Sequence, residues 1–393
     1  MPIRTEVYRT IEAAREVWLA FEEQGDLYVF QTIEWLENWH RHVGRKAGVE
    51  PCLIAVYDDD HPLYFFPFGI ARMGPASALV WLGGELCDYG APIVVSEESP
   101  ADGTMGDPRG RENDPAKALA FQGVWAEVRR QIPPVDFVWL VRIPERVGNR
   151  PNPMCGLRRE PYHSSAHVAR LTGTWDAFYE SHAGPKTRST DRRKLRRLSA
   201  LGDLTYTVTD GSDDAAARRI TRAMIEQKEK RYREIQARNL FVDEAYGDFF
   251  SDCASSLMRR RWLSLSEMSL DGRIITTHWG MVFKDRFYYF MPSFARGSWM
   301  RFSPGRLLLF RLFEWCFQHE VKILDFTVGD EAYKAGWCDE ELRLYQHFTA
   351  LTWKGRLFGV FYAVYSRVGR STRLLGLARR SRGIFRSVRY RMS

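Results

Sequence analysis

Between Phe290 and Trp337 the chain keeps one order that restricts its fold more than any other stretch. An apolar strand leads into the turn Ser303-Pro304-Gly305, and a helix follows. A second strand covers Val321–Val328, and Gly329-Asp330-Glu331-Ala332-Tyr333-Lys334-Ala335-Gly336-Trp337 closes the unit. A Pro-Gly turn opening a helix leaves its first backbone N–H groups free, and such a helix start attracts anions. Arg301 and Arg306 flank the turn, so a phosphate-bearing ligand would meet both the helix dipole and fixed positive charge. The second strand carries Asp325 and leads to Asp330 and Tyr333, side chains that move protons. An anion cradle beside proton-handling groups predicts a cofactor enzyme.

At 393 residues the chain exceeds one typical core, so two domains are expected. Helical spacing over Ile11–Glu23, a helix capped by Thr32, and strand runs at Cys52–Tyr57, Leu63–Ile70, Ala78–Leu82 and Pro92–Val95 describe an α/β first domain, residues 1–155. Ser99–Pro115 reads as a mobile surface loop, followed by an amphipathic helix (Ala116–Gln131) and the strand Phe137–Ile143. The second domain, 156–355, begins with a strand near His167–Leu171 and the helix Trp175–Ser181. It continues through the basic run Lys186–Leu198 and a strand at Leu204–Thr209. Asp213 and Asp214 start a long helix, where negative charge is stabilising, and another helix covers Asp243 to Arg260. Strands Leu263–Leu270, Arg273–Phe283 and Arg286–Met291 form a meander with turns at Asp271-Gly272 and Lys284-Asp285, and Tyr345–Trp353 is the last strand. Tyr333 and Lys334 are expected to begin one more helix.

Several pieces, taken in order, resemble one family. They are Phe30-Gln31-Thr32-Ile33-Glu34-Trp35-Leu36, the run Lys186 to Leu198, Ser303-Pro304-Gly305-Arg306-Leu307-Leu308, and Asp325 to Lys334. Their order is similar to the GNAT acyltransferase fold, and more narrowly to the bacterial CelD/BcsL-type acetyltransferases of exopolysaccharide systems, relatives of the FemAB aminoacyl transferases. The resemblance implies two tandem GNAT-like lobes, with mixed central sheets flanked by helices, the first lobe degenerate. It also implies acetyl-CoA as acyl donor and direct attack of an amine on the thioester, without a metal.

Such chemistry asks for positioning, a base, a donor to the leaving thiolate and polarisation of the carbonyl. Arg301, Phe302, Ser303, Pro304, Gly305, Arg306 and Leu307 are assigned to the pyrophosphate, Gly305 permitting close backbone approach. Lys334 is expected to grip phosphate, and Tyr333 to donate to the thiolate. His278 interrupts a strand fit for burial, and is either a base near neutral pH or a satisfied core histidine. Asp325 lies in the apolar run Ile323-Leu324-Asp325-Phe326, so it needs a partner, either a structural arginine or a substrate amine. Asp330 follows that strand's C-terminal end, the side where α/β sheets bind ligands. Tyr288 and Trp299 are candidates to line a sugar site. The basic run Lys186 to Arg197 is either a solvated face or a second anion contact.

The net charge of +8 is concentrated at one end. No acidic residue occurs from Leu342 to Ser393, whereas Arg343, Lys354, Arg356, Arg367, Arg370, Arg373 and six further arginines do, leaving the rest of the chain slightly acidic. That balance argues against a DNA-binding protein. The tail, 356–393, reads as a basic amphipathic helix. Arg379, Arg380, Arg382, Arg386 and Arg389 are candidates for cyclic di-GMP or for the anionic surface of the inner membrane. Six scattered cysteines show no metal spacing, the start lacks a signal-peptide pattern, and no apolar run reaches the ~20 residues of a membrane span. A cytoplasmic protein, peripheral to the membrane or to a synthase complex, is expected. Its acceptor is expected to be an amino-sugar or polysaccharide precursor. The competing expectations are an aminoacyl transferase and a non-catalytic nucleotide-binding effector.

Overall fold

The computed structural model describes residues 3–95, 115–209, 213–236 and 239–370. In chain order they form β1 (Ile3–Tyr8), α1 (Ile11–Gln24), α2 (Ile33–Trp39), β2 (Glu50–Asp58), β3 (His61–Met73), β4 (Ala76–Trp81) and β5 (Ile93–Val94). Next come α3 (Pro115–Gln131), β6 (Phe137–Pro144) and the short strands β7 (Arg146–Val147), β8 (Arg150–Pro151) and β9 (Glu160–Pro161). They are followed by β10 (Ala166–Arg170), α4 (Trp175–His182), α5 (Pro185–Ser199), β11 (Leu204–Thr209), α6 (Asp214–Glu234) and α7 (Glu244–Arg259). The meander β12 (Leu263–Leu270), β13 (Arg273–Phe283) and β14 (Arg286–Phe294) precedes α8 (Pro304–Gln318) and β15 (Ile323–Val328). The last described elements are β16 (Glu340–Leu342), β17 (Leu344–Ala350) and α9 (Trp353–Arg370).

The chain divides into two compact units, Met1–His163 with Arg343–Ser393, and Ser164–Leu342. In the first, the sheet order is β1-β2-β3-β4-β6-β17-β9, with β5 beside β3. Its neighbours are antiparallel except β4 and β6, parallel at Ala78↔Phe137 and Leu79↔Val138. Ile54, Phe66, Phe68, Trp125 and Leu140 centre its core. In the second, the order is β11-β12-β13-β14-β15-β10-β16, again antiparallel except for β14 and β15. Each unit is thus a meander, one parallel pair, and a further antiparallel strand beside that pair.

Local chemistry sets these elements. Thr32 caps α2 by accepting from Trp35 N, and Asp213 caps α6 by accepting from Ala216 N at 2.9 Å. The β12–β13 turn places Asp271 and Gly272 both at positive φ, 50° and 74°, the backbone a two-residue hairpin requires.

Two expectations are corrected. The strand after Arg343 does not complete the second sheet. It pairs with β6, from Leu344↔Pro144 to Ala350↔Phe137, where Phe348 meets Phe137 at 5.5 Å between ring centroids. The place beside β15 is taken instead by β10. The helix expected from Tyr333 is only a 3-10 turn, Lys334–Gly336. The Lys334 ammonium donates to the carbonyls of Thr327, Val328 and Gly329 (3.3, 3.3 and 2.9 Å), which curls the segment back on the strand end. Among the described residues no helix is long and apolar enough to cross a membrane.

Candidate active site

The second unit opens where its two parallel strands part. β14 and β15 pair only at Arg286↔Ile323, Phe287↔Leu324 and Tyr288↔Asp325. Past that point β14 stays with β13 as far as Phe294↔Thr276, while β15 stays with β10 as far as Val328↔Ala166. A wedge is left between Tyr289–Phe294 and Phe326–Gly329, walled by backbone that no longer pairs across it. Such edges accept an extended, amide-bearing ligand as an added strand would be accepted.

The start of α8 belongs to the same unit. Ser303 sits in the left-handed region at φ 55° and Pro304 takes the first helical position. The N–H groups of Arg306 and Leu307 both return to Ser303 O, at 3.0 and 3.2 Å. A side chain at Gly305 would meet nothing within 4 Å, so the backbone there is open to a ligand. Helix α5 supplies positive charge to this point: Lys194 Nζ donates to Ser303 Oγ at 2.9 Å, and Arg192, Arg193, Arg196 and Arg197 are exposed on the same helix. One member of the basic run, Lys194, is therefore brought to the helix start, a placement that charge density alone did not reveal.

Other cradle assignments become narrower. Arg306 is held by the buried Asp191 (3.0 Å), which also accepts from Tyr179, and its guanidinium lies 4.9 Å from the ring centroids of both Phe310 and Trp337. Phe302 and Leu307 are buried core residues, and the Leu307 N–H is already given to Ser303 O, so neither side chain is available to a ligand. Arg301 is exposed and lies over the Phe302 ring at 4.8 Å. Lys334 is corrected: it is 3% exposed, spent on three carbonyls, and paired with Glu331 at 2.8 Å. It shapes the wedge mouth and has no donor left to grip a phosphate.

The proton-handling candidates separate sharply. Asp325 is fully buried, paired with Arg286 at 2.7 Å, and accepts from Thr327 N at 2.7 Å. Its partner is the structural arginine, and a substrate amine has no access. His278 is also fully buried, stacked on Tyr289 at 4.6 Å, with neither ring nitrogen hydrogen-bonded among the described residues. Burial, aided by the charge of Lys228, pushes its pKa down to about 3, too low for an efficient base at neutral pH. Tyr288 (1% exposed) and Trp299 (8%) are corrected as well. Trp299 gives its N–H to Ala295 O at 3.0 Å, so both are packing groups rather than a sugar platform.

Asp330 and Tyr333 remain accessible. Asp330 contacts His167 Nε2 at 3.0 Å and accepts from Ser165 N at 3.3 Å. Tyr333 packs against Phe326 at 6.0 Å, its surface partly exposed. Desolvation of its hydroxyl pushes the pKa up, so it keeps its proton over the working range.

One group was missed. Lys228, half-buried on α6, has its pKa pushed down to about 8 by burial, with Glu331 opposing the shift. Its neighbour Gln227 accepts from Ser293 (2.9 Å) and Thr277 (3.2 Å), fixing α6 over the outer end of β14. Lys228 Nζ lies 5.9 Å from the Tyr232 ring centroid, and its charge is felt by His278 on β13 and opposed by Glu331 beyond β15. The sequence signal was its spacing: Ile220, Met224 and Gln227 are buried on the face it shares. The tail arginines Arg379, Arg380, Arg382, Arg386 and Arg389 lie outside the described residues, as do residues 99–114. Among the described residues no group of three or more His, Cys, Asp or Glu side chains is placed to hold a metal ion.

Residues 185–335 match the family model described as an acetyltransferase (GNAT) domain. No curated protein matches the chain. Among solved structures it is similar to FemX, with 11% identity and a TM-score of 0.54 over 86% of this chain and 96% of that one. It is also similar to a conserved protein of unknown function from Bacteroides thetaiotaomicron, with 11% identity and a TM-score of 0.51 over 87% and 99%. At such identities the likeness establishes the fold. Together with the matched domain, it defines the class: an acyltransferase with two tandem GNAT-like lobes.

Proposed function

We propose that the protein transfers an acetyl group from acetyl-CoA to an amino group of an exopolysaccharide precursor, cellulose- or adhesin-type. The observation that carries the acyl-CoA part is the parting of β14 and β15 after Tyr288 and Asp325, in the same unit as a helix start fed by Lys194. The acceptor class rests on the family resemblance of the motifs.

In this reading the open backbone at Gly305, with Lys194 and Arg301, holds the pyrophosphate, and the edge of β14 that has parted from β15 holds the amide-bearing arm. Acetyl-CoA supplies the activated thioester. The acceptor amine attacks its carbonyl carbon and the carbon–sulfur bond breaks. Lys228, neutral in part at physiological pH, takes the proton from the amine nitrogen, and Tyr333 faces the departing sulfur as donor. Calorimetric titration with acetyl-CoA tests the donor, with binding expected for the wild type and loss expected for Gly305→Asp. Acetylation of an amino-sugar oligomer, followed by mass spectrometry, tests the acceptor.

The likeness to FemX over both lobes favours a second reading, an aminoacyl transferase taking its donor from aminoacyl-tRNA. Tight acetyl-CoA binding with turnover on an amine separates the two. For regulation, we propose that Arg379, Arg380, Arg382, Arg386 and Arg389 bind cyclic di-GMP, guanidinium groups pairing with phosphate and stacking on bases. Titration with cyclic di-GMP before and after removal of the tail tests this.

A further inference from the structure

Helix α9 has two apolar faces, and only one is used. Its inner face sits unusually close to the first sheet because it carries glycines. A side chain at Gly355 would come within 2.1 Å of Asp136 O, and one at Gly359 within 2.8 Å of the Phe348 ring. Phe358 stacks on Phe137 at 4.3 Å and Tyr362 meets Trp139 at 5.0 Å. The opposite face presents Trp353 (67% exposed), Leu357 (61%), Val360 (65%), Phe361 (39%) and Val364 (54%). Counting 3.6 residues per turn, these fall within about 100° of arc. Exposed Lys354 and Arg356 bracket that arc, one on each side.

Charge decides what covers this face. No acidic residue occurs from Leu342 to Ser393, so neither the arginine-rich segment beyond Arg370 nor a second copy of α9 can meet it without setting cation against cation. The complementary surface is one that is apolar beneath and anionic at its rim. We infer that α9 is an interfacial helix which seats the first unit on an anionic phospholipid bilayer. Trp353, Leu357, Val360, Phe361 and Val364 enter the headgroup–acyl boundary, while Lys354 and Arg356 contact lipid phosphates. The helix lies in the plane of the surface rather than across it, since no described helix can span a membrane. The inference concerns the first unit and stands independently of the acyl-transfer reading.

The test is co-sedimentation of the full chain with neutral phosphatidylcholine vesicles and with vesicles containing phosphatidylglycerol, at low and high salt. Binding to the anionic vesicles is expected to be at least about tenfold tighter, and to weaken with salt. The variant Leu357→Ser/Val360→Ser/Val364→Ser is expected to lose about tenfold or more. Because those side chains are exposed, the variant should keep its fold, which circular dichroism checks. A second variant, Lys354→Glu/Arg356→Glu, separates the charge contribution and should fail at low salt. Equal binding to neutral vesicles, or undiminished binding by the triple variant, would overturn the inference. So would a triple variant that changes only self-association in sedimentation velocity, since that outcome assigns the face to a second copy.

Discussion

Replacing Lys228 with methionine should slow the enzyme and stabilise it at the same time. The ammonium titrates at about 8 instead of its ordinary 10.5, because burial disfavours the charged form. Below pH 8 the folded protein holds a charge it has partly desolvated. Above 10.5 the side chain is neutral in both folded and unfolded states, and the cost is gone. The difference of about 2.5 between the two values, at 1.36 kcal/mol each, corresponds to about 3 kcal/mol as an upper figure. Methionine keeps the length of the side chain and removes the charge, so Lys228→Met should raise stability at pH 7 by up to that amount and by nothing above pH 11. Activity should move the other way, since removal of a general base typically costs roughly 10²–10⁴-fold.

The assay is thiol release from acetyl-CoA with an amino-sugar acceptor, between pH 6 and 9.5. The acceptor's own ionisation is common to both proteins, so the wild-type to variant ratio isolates Lys228. That ratio should rise about tenfold from pH 7 to 9, as the neutral amine goes from about a tenth to nine-tenths of the population. A flat ratio, or a variant less stable than wild type at pH 7, would refute the reasoning.

Three other outcomes are expected. Gly305→Asp should leave the melting temperature unchanged, because its Cβ meets nothing, while acetyl-CoA binding in calorimetry falls by more than about tenfold through like-charge repulsion. Lys194→Met should also weaken acetyl-CoA binding without loss of stability, and the weakening should shrink at high salt. Arg286→Met strands the buried Asp325 carboxylate and should cost about 3–5 kcal/mol in urea unfolding, with the surviving folded protein still binding acetyl-CoA.

What was readable in the sequence was what is local. Thr32 and Asp213 cap helices through side chains three residues from their partners, and the Asp271-Gly272 turn sets the first β12–β13 pairs, Leu270↔Arg273 and Ser269↔Ile274. The strand–turn–helix–strand order around Ser303 carried the fold class for the same reason. Long-range pairing was not readable. Nothing in Leu344–Ala350 says which sheet it joins, because its alternation fits either. Arg286 and Asp325 are 39 residues apart, so the aspartate's need for a partner was visible and the partner was not. His278 and Tyr288 looked available because a strand shows two faces, and only packing tells which is covered. Lys228 was hidden as one charge among many on a long amphipathic helix. Its environment, rather than its type, makes it a candidate.

The central claim is that the second unit binds an acyl-CoA in the wedge between β14 and β15 and at the start of α8. Amide hydrogen exchange of the full chain, with and without acetyl-CoA, tests it most directly. The account predicts protection at Tyr289–Phe294 and at Ser303–Leu307, with little change in β11 or β12. Binding accompanied by protection confined to the first unit would contradict it, as would no protection at saturating acetyl-CoA.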